Sequence, residues 1–482
     1  MTQRGNENRW AISSPQGDPA AEPSKEISET EKSHGSLTAS PWDLGDTTIF
    51  SLIVLLAALL RFLHLNYMEF NADEANNLFL AAGLVSGKSF PLVGVTSSIG
   101  TLNPPLFIYL LGIPMLFSRS PVFAAGFIAL LNCAAVGLSY VFCRRYFGRT
   151  AAVFAAALFA VNPWAVFYSR KIWQQELLPP FVVGFFFSLF AVVYEKRSRQ
   201  LLTCVACLAA ATQLHLSSVY FGVVLVLVLA WFRPKVGWRI YLSGFAIGLA
   251  LYIPYFLFEL MNRGYNAEIY LRAFRMPSHF HPEALLLPFA FGSTLGFMHF
   301  FEWPLLDTLQ LLFFVLGVVY LFFRWRDPRC AILLLWYFVP TAFLVMSKLV
   351  LAPHYFICYF PIQFVVMGIA ADMFMQNRRS RNKILGYVKS SLLAVLITYQ
   401  LLSSARFVTA IAKPGPLEWA GYGPRYGPPY RVRLQEIRAL AQKGIVDPEA
   451  VQKALVQDKP KAIADYYDFD ATKYIVENLG AL

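Results

Sequence analysis

Glu69-Phe70-Asn71-Ala72-Asp73-Glu74-Ala75-Asn76 follows directly on the first long apolar run of the chain, about residues 47–66. A run of that length spans a bilayer, so the acids Asp73 and Glu74 fall at the exit of a membrane helix. Working outward, the same alternation of apolar runs and short polar connections recurs to about residue 405. Of the 482 residues, 57% are hydrophobic and only 15% charged, and the mean hydropathy is +0.50. Soluble domains carry nearer 25% charge. The composition therefore predicts an all-α polytopic membrane protein. The 43 Phe and an aromatic share of 16% suit lipid-facing helices and interfacial belts.

Residues 1–45 are polar, contain no apolar run and read as a disordered cytoplasmic tail. They lack the short apolar core and cleavage site of a secretory signal, so the first span is expected to stay as an anchor. Apolar runs near 47–66, 121–143, 150–168, 177–194, 200–214, 216–232, 240–260, 304–323, 330–347, 355–375 and 386–405 give about 11 spans. Residues 46–405 form the membrane domain. Residues 406–482, with the turn-rich Tyr422-Gly423-Pro424-Arg425-Tyr426-Gly427-Pro428-Pro429-Tyr430, form a small extracytoplasmic segment.

One further run, 104–118, decides the topology. If it does not cross, the connections with Arg144, Arg145 and Arg149, with Lys196, Arg197 and Arg199, with Arg233, Lys235 and Arg239, with Arg324, Arg326 and Arg329, and with Arg378, Arg379, Arg381 and Lys383 all share the side of the N-terminus. The positive-inside rule makes that side cytoplasmic. Run 104–118 then reads as an outer juxtamembrane helix begun by Pro104-Pro105. The net charge of +12 orients the protein in this reading and does not point to nucleic acid. The six Cys lie in or beside apolar runs; Cys204 and Cys207 form a lone CxxC, best read as small interior residues.

This topology puts three polar clusters on the outer side of a cell membrane: Asp73 and Glu74; Tyr168, Arg170, Lys171 and Glu176; and Lys348, His354 and Tyr355. A sugar transfer from a lipid phosphate needs a carboxylate to take the acceptor's proton and Arg or Lys donors for the leaving phosphate. It needs no general acid, because phosphate leaves as a stable anion. Arg170 and Lys171 suit either that phosphate or lipid headgroups. His279 and His281 lack a third metal ligand, and His215 reads as a turn residue between two short spans.

Three ordered stretches carry a family resemblance: Asn71-Ala72-Asp73-Glu74-Ala75, Asn103-Pro104-Pro105-Leu106-Phe107-Ile108-Tyr109, and Arg145-Tyr146-Phe147-Gly148-Arg149 through Asn162-Pro163-Trp164 to Tyr168-Ser169-Arg170. Ala352-Pro353-His354-Tyr355 with Pro361 adds a looser one. The chain resembles the GT-C fold glycosyltransferases, in the branch of the dolichyl-phosphate-mannose–protein mannosyltransferases and the aminoarabinose transferase (glycosyltransferase family 39-like). The resemblance implies a GT-C bundle and an inverting transfer from a polyprenyl-phosphate sugar to a protein, lipid or glycan acceptor on the outer face. It implies Asp73 as base, Glu74 as its helper, and substrate contacts from Asn103, Tyr168, Arg170, Lys171, Glu176, Lys348, His354 and Tyr355. Asn103 stands where the aminoarabinose branch has Lys. No metal ligands are assigned, and a divalent metal cofactor is left open. The rival classes are a membrane transporter, which should carry ionisable residues within its spans, and a non-catalytic envelope-glycan assembly protein, which should tolerate neutral substitution at Asp73.

Overall fold

The computed structural model describes residues 42–97, 99–297, 303–348, 351, 353–376, 383–413, 429–457, 459, 461–465 and 467–482. The tail to residue 41, Ala352, residues 377–382 with their basic cluster, and Tyr422–Pro428 of the turn-rich stretch lie outside the described residues. Each expected apolar run is helical, the run 150–168 as two helices, and the described residues from Asp43 to Leu482 pack as one compact unit. Among the described residues eight helices are long and apolar enough to cross a membrane. Residues 149–161, 200–214 and 216–232 are apolar but shorter. The protein is a multi-pass membrane protein, all-helical among its described residues apart from two isolated bridges.

The first helix, α1 (Leu44–Phe62), opens with a capping box: Asp46 N–H donates to Asp43 Oδ1 at 2.6 Å and Asp43 N–H to Asp46 Oδ2 at 3.3 Å. At this end Arg144 pairs with Asp46 at 2.8 Å, Arg149 with Asp43 at 3.0 Å, and Arg145 with Glu195 Oε2 at 2.7 Å. Arg329 reaches the Tyr146 carbonyl at 3.1 Å. Three of the basic connections thus gather with the start of α1 at one end of the bundle. Asp73 follows the opposite end of α1.

Run 104–118 forms a helix of only 10 residues, Leu106–Met115. At about 1.5 Å per residue it is too short to cross alone, and it packs on α2 (Ala72–Val85), the helix that carries Asp73.

The run expected to span 150–168 as one helix is instead broken into α3 (Arg149–Val161) and α4 (Pro163–Tyr168). Pro163 has no N–H to give, so the carbonyls at the end of α3 lose their helical partners. Inside a membrane those carbonyls need other donors. Arg61 donates to Phe159 at 3.2 Å and to Ala160 at 2.9 Å, and Ser404 donates to Val161 at 2.5 Å. Asn162 caps α4 by accepting the Ala165 N–H at 2.9 Å. The break turns the chain toward the Tyr168–Glu176 segment. The fully buried Arg61 is the cost of making it.

At the centre, α3 packs against Phe360–Gln376. Gly368 lies so close to the Ala151 carbonyl that a side chain there would collide with backbone. Beyond Lys383–Ala410, the helix Phe469–Glu477 folds back onto α2, and Tyr430–Gln442 and Pro448–Val456 pack against it.

Candidate active site

Helix α2 begins at Asn71, whose N–H donates to Glu74 Oε2 at 2.9 Å. This turns Glu74 inward, where it is fully buried, and leaves Asp73 exposed on the opposite side. Asn77 ties back to the Asp73 carbonyl at 2.8 Å. The C-terminal helices hold α2 from outside. Tyr474 packs edge-on against Phe70 at 5.7 Å and Phe79 at 5.0 Å, Asp470 accepts from Asn76 at 3.0 Å, and Tyr430 N–H donates to the Met68 carbonyl at 2.9 Å.

Asp73 opens onto a cavity of about 370 Å³. One wall is a loop in which Asn103 Nδ2 and N–H both bond the Val95 carbonyl, at 2.8 and 3.1 Å. Gly100 turns that loop with φ of 86°, and Leu102 N–H is caught by Asn266 at 2.7 Å. The other walls are Trp173 to Gln175, His215 to Ser217 with Tyr220, Tyr270, Leu344 with Ser347, and His354 with Tyr355.

The structure therefore gathers four of the expected residues, Asp73, Asn103, His354 and Tyr355, around one space. It places the others elsewhere. Arg170 is buried, with its guanidinium directed to the carbonyls of Leu60, Arg61, Leu63 and His64 at 2.8 to 3.1 Å, where it finishes the C-terminus of α1. Tyr168 is buried and stacks on Trp164. Lys171 pairs with Glu69 at 2.6 Å and packs 3.8 Å from the Trp173 ring centroid, behind the cavity wall. Glu176 is buried, and its carbonyl accepts from Asn132 at 2.8 Å. Lys348 gives its ammonium to the Phe274 carbonyl and does not line the cavity.

His215, Trp173, Ser217, Tyr220 and Tyr270 line the cavity without having been expected there. One signal was available for His215. The polar His215-Leu216-Ser217-Ser218 interrupts two strongly apolar runs.

The electrostatics follow the burial. Asp73 keeps its surface open to the cavity, yet the surrounding walls strip part of its water and raise the carboxyl above the ordinary carboxylate value; Lys171 opposes the rise and Asp468 adds to it. Asp468 belongs to the C-terminal helices, where it pairs with the buried Arg433 at 3.2 Å. Glu74 is pushed up to about 7, chiefly by burial and further by Glu69, with Lys171 in opposition. Burial alone would push the Lys171 ammonium down, but Glu69 and Glu74 outweigh it and hold the group above its usual value. A carboxylate of raised pKa that faces an open space is suited to taking a proton. Among the described residues no three His, Cys, Asp or Glu side chains are grouped to hold a metal ion.

Residues 102–258 match the family model described as dolichyl-phosphate-mannose-protein mannosyltransferase. No curated protein matches the chain in sequence. In three dimensions it is similar to ArnT from Cupriavidus metallidurans in the apo state, with a TM-score of 0.59 and 13% identity over 91% of this chain and 89% of that one. ArnT bound to undecaprenyl phosphate gives 0.53 and 14% over 91% and 78%. The archaeal oligosaccharyltransferase AglB from Archaeoglobus fulgidus, in complex with an inhibitory peptide and a dolichol-phosphate, gives 0.50 and 14% over 87% of this chain and 59% of its own. The chain is a membrane protein of the GT-C fold, similar to the protein mannosyltransferases and to ArnT.

Proposed function

We propose that the chain is a glycosyltransferase that moves a sugar from a polyprenyl-phosphate carrier to an acceptor hydroxyl, with inversion, on the extracytoplasmic face of a cell membrane. The observation that carries this reading is Asp73 on the first turn of α2, its carboxyl raised in pKa and facing a cavity of mixed polar and apolar lining at the bundle end opposite the gathered basic loops. The positive-inside rule supports an outer position for that end. The fold's likeness to ArnT, which binds undecaprenyl phosphate, supports a lipid-phosphate donor. The likeness to AglB, held with a dolichol-phosphate and a peptide, supports the same donor class.

In the proposed step Asp73 takes the proton of the acceptor hydroxyl. The acceptor oxygen bonds to the anomeric carbon from the face opposite the phosphate. The carbon–oxygen bond to phosphate breaks, and the electron pair leaves with the polyprenyl phosphate. A volume of about 370 Å³ is near the lower end of small-molecule sites, roughly 300–1,000 Å³, and favours one sugar over a glycan chain. Proteins, lipids and glycans are the candidate acceptors.

The test is transfer from undecaprenyl-phosphate sugars by the purified protein in lipid nanodiscs. Asp73→Asn is expected to lose roughly 10²- to 10⁴-fold in rate with folding intact. Full activity in that variant removes Asp73 as the base.

A further inference from the structure

A lipid phosphate brings negative charge into the cavity beside the Asp73 carboxylate, so it needs hydrogen-bond donors there. Among the described residues that line the cavity there is neither Lys nor Arg, and Asp73 is the sole carboxylate. The nearby cations are held by other groups. Lys171 pairs with Glu69, Arg170 holds four carbonyls, and Lys348 serves the Phe274 carbonyl. Two imidazoles do line the space, His215 and His354, with ring centroids 5.7 Å apart and planes at 87°.

The local hydrogen bonds point to the nitrogen of His215 that bears the proton. Its backbone is extended, with φ −158° and ψ 137°, between the helix Gln200–Leu214 and the turn Leu216–Val219. The Ser217 N–H approaches Nδ1 at 3.3 Å, and Ser217 Oγ lies 2.8 Å from the same atom. A backbone N–H can only donate, so Nδ1 presents a lone pair; the Ser217 hydroxyl donates to it at 2.8 Å in preference to Cys358 Sγ at 3.8 Å, and the neutral ring then carries its proton on Nε2. The inner nitrogen is occupied by its own chain. The edge His215 has left to offer is an N–H donor.

We propose that His215 is a ligand of the donor's phosphate, donating through Nε2–H, and that with His354 it replaces the Lys or Arg such a site would otherwise use. This rests on the polyprenyl-phosphate reading above. It assigns a binding role to a residue whose sequence context reads as a turn. It also explains why Ser217, one turn residue away, is buried against the ring: it holds the tautomer.

The experiment measures binding of undecaprenyl phosphate to the full-length protein in nanodiscs, independent of any transfer. Wild type is expected to bind. His215→Ala is expected to weaken binding about 10- to 100-fold, the range for a hydrogen bond to a charged group. His215→Gln, which keeps a terminal N–H, should recover most of the loss. A second measurement needs no variant. Acylation of His215 at Nε2 by diethylpyrocarbonate, drawn through the tautomer that frees the Nε2 lone pair and read by mass spectrometry of the wild-type protein, should be slowed by undecaprenyl phosphate and not by undecaprenol. Equal affinity of wild type and His215→Ala, or equal protection by undecaprenol, overturns the proposal and leaves the donor reading standing. Failure of wild type to bind undecaprenyl phosphate overturns the donor reading, and this inference with it.

Discussion

Two polar layers lie against each other at the Asp73 end of the bundle, and they divide the charge unequally. The cavity holds one carboxylate, two imidazoles, amides and hydroxyls. The layer behind it holds Lys171, Glu69, Glu74 and Glu176, all buried, with Arg170 nearby on the α1 carbonyls. The layers alternate along the chain: Asp73 faces the cavity and Glu74 turns away from it, Gln175 faces it and Glu176 turns away, and Trp173 separates the cavity from Lys171. The difference teaches that permanent charge here serves the scaffold. Broken helices and turning chain inside a membrane leave carbonyls that need strong donors, and arginine and lysine supply them. The cavity is left with groups that can change protonation or hydrogen bonding without unfolding the wall.

The sharpest way to break this comparison is Lys171→Met. If Lys171 belongs to the scaffold, its loss leaves Glu69, Glu74 and Glu176 without their buried counter-charge. The expected cost is about 3–5 kcal/mol of stability. It would appear as a large fall in melting temperature or as loss of monodisperse protein in detergent. A variant that melts like wild type but binds undecaprenyl phosphate weakly would move Lys171 from the scaffold into the cavity.

Glu74 tests the same layer through pH. Its folded pKa of about 7 lies above the ordinary 4.5, so the folded state holds a proton that the unfolded state has released. The folded state binds more protons between those values, and stability therefore falls as pH rises from about 4.5 to 7, then levels. The full drop is at most about 3 kcal/mol. Melting curves from pH 5 to 8 should show wild type losing stability and Glu74→Gln losing much less. Parallel curves for the two proteins would mean that Glu74 is not the group whose proton is released.

Much of the fold was legible because membrane insertion leaves coarse traces in sequence. Each apolar run became helical, and Pro104-Pro105 marked the start of a helix too short to cross. The site was legible in part. Asp73 was recognisable from its place after α1, and His354 and Tyr355 from theirs, and all three line one cavity. Arg170 and Lys171 look the same in sequence whether they meet a ligand, lipid headgroups or the protein's own backbone. What separates these cases is the break at Asn162–Pro163 and the end of α1, whose freed carbonyls lie about 100 positions away in sequence from the side chains that hold them, as in Arg61 to Ala160 at a separation of 99. His215 was missed for the opposite reason. Its partner is only two residues away, and a local hydrogen bond that fixes a tautomer resembles any other turn.

The smallest expected effect concerns what holds α2 from outside. The contacts that join it to the C-terminal helices include the Asn76–Asp470 hydrogen bond, the Tyr474 ring between Phe70 and Phe79, and the Lys473 ammonium over the Phe79 ring. The polar contact is half-exposed, so losing it costs no more than about 1 kcal/mol. The ring contacts are buried, and aromatic pairs contribute about 0.5–1.5 kcal/mol each beyond their area. Asp470→Ala should therefore change the melting temperature by only a few degrees and leave transfer within about threefold of wild type. A transfer loss of tenfold or more at unchanged melting would show that the polar contact sets the orientation of Asp73. The C-terminal helices would then join the cavity layer in chemistry, and the division between cavity and scaffold would have to be redrawn at α2.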